Sequence, residues 1–176
     1  PEVSGVDVFE RLDTPHGLVR FGVAPDHTST KQVTRLFAKI AQERGFRYFL
    51  GTPIGSVDGP EEGGLTLSDL RAHYDAVVYS VGASADRSLD IPGEDLDGSL
   101  AATAVVGWYN GHPDQQHLDV PLDAAANPSG RAVVVGNGNV ALDVARILTR
   151  PVGVLERTEL APDALEQLRT SNLREV

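Results

Sequence analysis

The chain has 176 residues, of which 41% are hydrophobic and 23% charged, a composition typical of a folded globular protein and not of a disordered one. Its net charge of −10 argues against nucleic acid or an anionic membrane as the main partner. No apolar run approaches the roughly 20 residues of a membrane span, and the absence of cysteine excludes disulfides, thiolate metal sites and a CxxC redox pair.

Methionine is absent even from position 1, which favours a fragment or a processed chain. Residues 1–13 have no basic start followed by an apolar run, so we predict no signal peptide and expect a cytoplasmic location. No metal site is predicted.

The first predicted element is a short buried strand, VDVFE, which ends in Glu10. A stretch rich in glycine and proline follows over 13–30, and its irregular length suggests a functional loop. Apolar residues spaced three or four apart then predict a helix over 33–41, with Gly45 as its C-terminal cap.

A second strand is predicted at 46–51 and a surface loop at 55–64. A capping-box pattern predicts a short helix over 66–73. The continuous apolar run AVVYSVGA, at 76–83, is typical of a strand buried on both faces of a parallel sheet.

The strongest local pattern is RAVVVGNGNVALDVARIL at 131–148. It predicts a strand, a glycine-rich turn and an amphipathic helix that ends before Pro151. A second helix is predicted at 161–169, and the terminal LREV resembles the start of another strand.

Strands alternating with helices predict an α/β fold with parallel sheets. We expect two Rossmann-like dinucleotide-binding domains, each only partly present. The first would cover residues 1–101 and the second residues 102–176.

Residues 136–141 fit the pattern G-x-G-x-x-A. Gly136 allows a tight turn, Gly138 lets the backbone approach a pyrophosphate, and the small Ala141 lets the helix pack closely on the strand. The phosphate would then meet the free N–H groups and the positive dipole end of the helix. The alternative is a tight turn that binds nothing, but a strand before it and a helix after it favour nucleotide binding.

Three further features leave their roles open. An acid about 20 residues after the turn would favour NAD. Glu156 and Glu159 lie there, but no strand is predicted before position 174, so NAD and NADP are not distinguished. Glu10 is placed either as a ribose-binding acid or as a solvated charge. His27 is suited to proton or hydride chemistry near a flavin, or to capping a turn.

Four blocks together resemble one family. The segments VDVFERLDTPHGLVRFGVAPDH, IPGEDLDGSLAA, VVGWYNGHP and VVVGNGNVALDVARIL are similar, in the same order, to segments of the adrenodoxin-reductase-type ferredoxin–NADP reductases. The resemblance implies a partial FAD-binding domain over 1–101 and a partial NADP-binding domain over 102–176. The implied activity is hydride transfer from NADPH to FAD and then electron transfer to a ferredoxin-like iron–sulfur protein.

The same resemblance implies roles for individual residues. Glu10 would bind the FAD ribose, Leu18 would contact the flavin cofactor through its backbone, and Ile54 would contact FAD from the strand after the first helix. The turn would hold the NADP pyrophosphate through Gly136, Gly138, Asn139 and Val140. His27 and Asp143 match positions near the flavin–nicotinamide contact, where we expect them to be coupled through hydrogen bonds; alternatively, Asp143 only complements the helix dipole.

Two rival functions stay open. The first is another two-domain flavin reductase, of the glutamate synthase small-subunit type. The second is a non-catalytic nucleotide-binding module that keeps the fold without electron transfer.

Overall fold

A computed structural model describes residues 3–55, 59, 64–83 and 86–176. The chain divides into two compact units: residues 1–17 with 32–84, and residues 18–31 with 85–176. The predicted domain boundary at residue 101 stays a prediction. Most of the predicted loop 55–64 lies outside the described residues.

The described residues of the first unit form two strands and two helices. Strands β1 (Val6–Phe9) and β2 (Phe46–Phe49) pair in parallel, which confirms both predicted strands and their orientation. Helix α3 (Thr34–Ile40) is also confirmed. Its C-cap is Ala41, so the prediction of Gly45 as the cap is wrong. Gly45 lies four residues after Ala41, has φ of 89° and forms the turn directly before β2.

A polar cluster joins this small sheet to helix α4 (Leu67–His73). Asp7 accepts two hydrogen bonds of 2.7 Å from Arg47, its partner in the strand register, and one from the hydroxyl of Tyr74. The helix begins at the predicted capping box, in which Thr66 and Asp69 exchange hydrogen bonds.

The second unit holds the hydrophobic core. Its main helices are α5 (Ala102–Asn110), α6 (Asn139–Thr149) and α8 (Pro162–Arg169), and the last two confirm predictions. The buried apolar side chains of this core are Val105, Val106, Trp108, Tyr109, Val120, Leu122, Val144, Ile147, Leu155, Leu160, Ala164 and Leu168.

Helix α5 is not among the predicted elements. Its buried residues run without a break from Val105 to Tyr109, so the apolar residues do not single out one helical face in the sequence. Three shorter helices were also not predicted: α1 (Gly17–Phe21), α2 (Thr28–Lys31) and α7 (Val152–Leu155). A 3₁₀ turn covers Pro113–Gln115.

Two predicted strands are not formed in the described part of the chain. Residues 76–83 and 132–137 have no regular pairing, and Val78 and Val135 are more than 80% exposed. Apolar sequence alone does not make a strand; a ladder needs a neighbouring backbone to hydrogen bond. The one pairing observed near this region is a parallel bridge between Arg131 and Glu175, within the LREV segment predicted to start a strand.

Among the described residues, none of the helices has the length and apolar composition needed to cross a bilayer.

Candidate functional site

The turn before α6 is open. Gly138 is the N-cap, no side chain caps this helix end, and no atom beyond its chain neighbours lies within 4 Å of the position a Cβ on Gly138 would occupy. Gly136 has φ of 142°, a conformation that favours glycine. A Cβ added there would lie 3.4 Å from that of Ala141, which agrees with the predicted need for a small residue.

The first amides of α6 are free of intrahelical bonding because Leu142 makes the first such bond, to the carbonyl of Gly138. Asn139 and Val140 follow the N-cap directly and are exposed. The dipole of an 11-residue helix and these N–H groups favour an anion at this end. Residues 136–140 therefore fit a diphosphate.

About two turns further along α6, a second group of side chains surrounds Arg146. Its Nε and Nη2 donate to the two carboxylate oxygens of Asp26 at 2.7 and 2.8 Å. Nη1 lies 2.8 Å from Asp143 Oδ1, and Nη2 lies 3.1 Å from His27 Nε2. Arg150 also reaches Asp26, at 3.2 Å.

His27 and Asp143 lie close together but share no direct hydrogen bond. His27 Nε2 and Asp143 Oδ1 are 3.8 Å apart, which is too long for a hydrogen bond. Arg146 bridges them instead. The expected coupling through hydrogen bonds stays a prediction, and Arg146 contacts both residues.

Charge balance explains the stability of the cluster. The Asp26 side chain is 3% exposed, and its hydrogen bonds from Arg146 hold the pKa of its carboxyl below the usual value, against the opposing effect of burial. Tyr109, buried in the core, has its pKa raised by burial and by the nearby Asp143.

Lys31 fixes the C-terminal end of the segment that carries His27. The Lys31 ammonium is buried and donates to the Arg20 carbonyl at 2.8 Å and to Asn110 Oδ1 at 3.2 Å. Burial lowers the pKa of this lysine, and Glu159 at 3.8 Å opposes that shift. Residues 18–31 are therefore anchored to α5 and α6.

In the first unit, Glu10 lies directly after β1. Its Oε1 accepts from the Leu12 amide at 3.0 Å, and its carbonyl accepts from the Thr52 amide at 2.9 Å. The carboxylate is thus held at the carboxyl end of the sheet, where ligands bind in open α/β sheets. Ile54 lies five residues after β2, in an isolated parallel bridge to Leu65, so its predicted place within a strand is wrong.

Leu18, in the second unit, lies in α1 with its side chain 78% exposed. Its carbonyl accepts from the amides of Gly22 and Val23. A backbone contact to a cofactor would therefore use the N–H of Leu18.

Asp26, Arg146 and Arg150 are absent from the predicted site. The spacing of Asp143 and Arg146 by three residues on a predicted helix was a usable signal for their ion pair. The contact of Arg146 with Asp26 spans 120 positions, and nothing local in the sequence indicates it. Glu156 and Glu159, set aside as ribose ligands, pair with Arg169 and Lys31. Among the described residues, no three His, Asp or Glu side chains are grouped as metal ligands would be.

Known proteins resemble nearly the whole chain. No family model matches the chain. It is 50% identical over 171 residues to the NADPH-ferredoxin reductase FprA of Mycobacterium tuberculosis (strain ATCC 25618 / H37Rv), covering 97% of the chain and 35% of that protein. It is 45% identical over 175 residues to the mitochondrial NADPH:adrenodoxin oxidoreductase of Arabidopsis thaliana, covering 99% and 34%.

The solved atomic-resolution structure of M. tuberculosis FprA matches with a TM-score of 0.88 and 48% identity, over 98% of the chain and 35% of that structure. FprA in complex with NADPH matches equally well. The fold is therefore mixed α/β and matches a section of the FprA structure. Over nearly its whole length the chain is a homologue of the ferredoxin– and adrenodoxin–NADP reductases, which confirms the resemblance; it spans about a third of the length of these relatives.

Proposed function

We propose that the chain contributes to a flavoprotein reductase that transfers hydride from NADPH to FAD and then electrons to a ferredoxin-like iron–sulfur protein. The observation that carries the proposal is the open glycine turn at the start of α6, one to two helical turns before Asp143 and Arg146, which contacts His27. The names of the relatives, NADPH-ferredoxin reductase and NADPH:adrenodoxin oxidoreductase, support the same reading.

The NADP diphosphate is assigned to residues 136–140. These residues fit the group because the N-cap has no neighbouring side chain in the way and the helix end lacks a side-chain cap. The homologous FprA structure that holds NADPH supports NADP over NAD. Within the whole protein we expect two Rossmann-like domains, with 1–101 in the FAD domain and 102–176 in the NADP domain.

The FAD ribose is assigned to Glu10. One of its carboxylate oxygens is engaged by the Leu12 amide, which fixes the group at the sheet edge and leaves Oε2 facing no hydrogen-bond donor among the described residues. Leu18 N–H and Ile54 are proposed as further FAD contacts. When bound, the flavin supplies the two-electron to one-electron conversion that the reaction requires.

The residues of the chain would position this chemistry. The segment that carries His27 is anchored by Lys31 and Asp26, so its imidazole is held in place before any ligand binds. Asp143 provides negative charge on the first turns of α6, where it is neutralised by Arg146. We propose His27 and Asp143 as the residues at the flavin–nicotinamide contact.

The test is NADPH-dependent reduction of ferricyanide and of cytochrome c through an added ferredoxin, measured on the gene product in which this chain occurs. We expect a bound flavin spectrum and NADPH-dependent activity in both assays. A protein that holds flavin and binds NADPH but reduces neither acceptor would favour the non-catalytic module. A protein that does not bind NADPH would contradict the proposal.

A further inference from the structure

The direction of one hydrogen bond in the Arg146 cluster determines where a proton lies. Arg146 Nη2 is 3.1 Å from His27 Nε2. A guanidinium carries five N–H donors and no acceptor, so the imidazole nitrogen must accept. In the neutral ring, the nitrogen that accepts has no proton, and the other nitrogen carries it.

Asp143 also lies near His27 Nε2, but its influence on that nitrogen is weaker than that of Arg146. Asp143 Oδ1 would attract a proton on Nε2, but it is 3.8 Å away and already 2.8 Å from Arg146 Nη1. A carboxylate engaged by a guanidinium at hydrogen-bond distance does not also draw a proton across 3.8 Å. Arg146 therefore determines which nitrogen of the His27 imidazole carries the proton.

We propose that Arg146 is a positioning residue for His27: it holds the imidazole against α6 and fixes the tautomer protonated at Nδ1, with Nε2 unprotonated. The importance of this for catalysis rests on the proposed function, since it assumes that His27 acts at the cofactor contact.

The geometry of Arg146 suits this role. Its Nε and Nη2 form a paired contact with Asp26, which fixes the guanidinium plane. The second hydrogen of Nη2 is then available to His27, and Nη1 contacts Asp143. A lysine at this position would offer one ammonium in place of a planar fork and could not make these contacts together.

The chain provides a matched control on the same helix. Arg150 contacts the same carboxylate, Asp26, at 3.2 Å, and the structure shows no contact between it and His27. Replacing Arg150 removes the same charge from the same cluster without touching the imidazole. The variants to compare are Arg146→Gln and Arg150→Gln.

His112 provides an internal reference. Its Nδ1 accepts from the Asp114 amide at 3.1 Å, so its neutral ring carries the proton on Nε2, the opposite of His27. Long-range ¹H–¹⁵N NMR of the imidazoles distinguishes the two forms, because a nitrogen that bears a proton and one that does not resonate in separate ranges. The five histidines of the chain make this spectrum tractable.

The experiment records these spectra on the full chain about two pH units above the pKa of about 6.5 of a free imidazole. We expect His27 protonated at Nδ1 and His112 at Nε2. Arg146→Gln should shift His27 toward a mixture of tautomers, while Arg150→Gln should leave His27 unchanged; His112 should be unaffected by both.

A wild-type His27 protonated at Nε2, or a folded Arg146→Gln variant with an unchanged His27 signal, would overturn the inference. Equal shifts in the Arg146 and Arg150 variants would also overturn it, since they would assign the effect to general charge loss. If Arg146→Gln does not fold, the wild-type tautomer decides alone. No NADPH or acceptor is present, so this readout is independent of whether the reductase assay succeeds.

Discussion

The two compact units are stabilised by different means. The second unit has a core of buried apolar side chains on α5, α6 and α8. In the described residues of the first unit, Leu70 is the only apolar side chain buried to the same degree. There the polar contacts of Asp7 with Arg47 and Tyr74, and the stacking of Phe9 on Phe49, join the elements.

This difference between the units shows that side-chain packing and backbone pairing of strands have separate requirements. Residues 133–135 show it within the second unit: Val134 packs against the core, while Val133 and Val135 are each 87% exposed. The segment therefore has the alternation of a strand with one covered face but no ladder. A helix makes its backbone hydrogen bonds internally and packs through its side chains, whereas a strand needs a second backbone with which to pair. The predicted helices of this chain are therefore present, while two of its predicted strands are not formed in the described residues.

The largest expected effect is in the core of the second unit. Ile147→Ala removes a side chain that is 0% exposed and should lower the free energy of unfolding by about 2–5 kcal/mol. Leu142→Ala, on the same helix but 61% exposed, should change it by less than about 0.5 kcal/mol. Urea unfolding followed by fluorescence of Trp108, the single tryptophan, measures both. Similar costs for the two variants would contradict the assigned core.

A smaller, pH-dependent effect is expected at Asp26. Asp26→Asn breaks the paired contact with Arg146 and should cost about 1–2 kcal/mol near neutral pH, allowing for partial solvent screening. Because the pKa of Asp26 is lowered below 3.8 in the folded state, this contribution is present above about pH 4 and is lost as pH falls through the folded pKa.

Urea unfolding of wild type and Asp26→Asn over a series of pH values checks this. The difference between the two proteins should shrink as the solution becomes more acidic than about pH 4. A difference that is constant from neutral to acidic pH would show that the Asp26 carboxylate is not the source of the effect.

In the first unit, Asp7→Asn should loosen the sheet without a large change in the core. The pKa of Asp7 is lowered by its hydrogen bonds from Arg47 and Tyr74, so the ionised form is the one that joins these groups. Amide hydrogen exchange of β2 should become faster, and the Trp108 unfolding midpoint should change less than in Ile147→Ala. The neighbouring exposed Asp75 provides the control; equal acceleration in Asp75→Asn would contradict the role of Asp7.

The smallest effect on stability is expected at the open turn. Gly138→Ala adds a methyl that meets no atom within 4 Å, at an extended φ of −80°, and should cost less than about 1 kcal/mol. The same methyl lies where a diphosphate would approach, so the Kd for NADPH should rise about tenfold or more. Gly153→Ala, also at an open position but away from the turn, should leave NADPH binding unchanged in a calorimetric titration.

Much of the local structure could be predicted because its causes are local. The Thr66–Asp69 capping box, the stop before Pro151 and the glycine turn each follow from residues close together in the sequence. The interaction of Arg146 with Asp26 and His27 could not, because the partners are about 120 positions apart. The prediction of a strand at 76–83 was wrong because an apolar composition indicates only burial, whereas strand pairing depends on which backbone lies beside the segment.

Amide NMR during an NADPH titration tests most directly whether the amides at the start of α6 receive the diphosphate of a nicotinamide coenzyme. We predict that the ¹⁵N–¹H resonances of Gly138, Asn139 and Val140 shift with a single saturating dependence on NADPH concentration. Resonances that stay in place while NADPH binds elsewhere, or shifts that inorganic phosphate reproduces at the same concentration, would contradict the account.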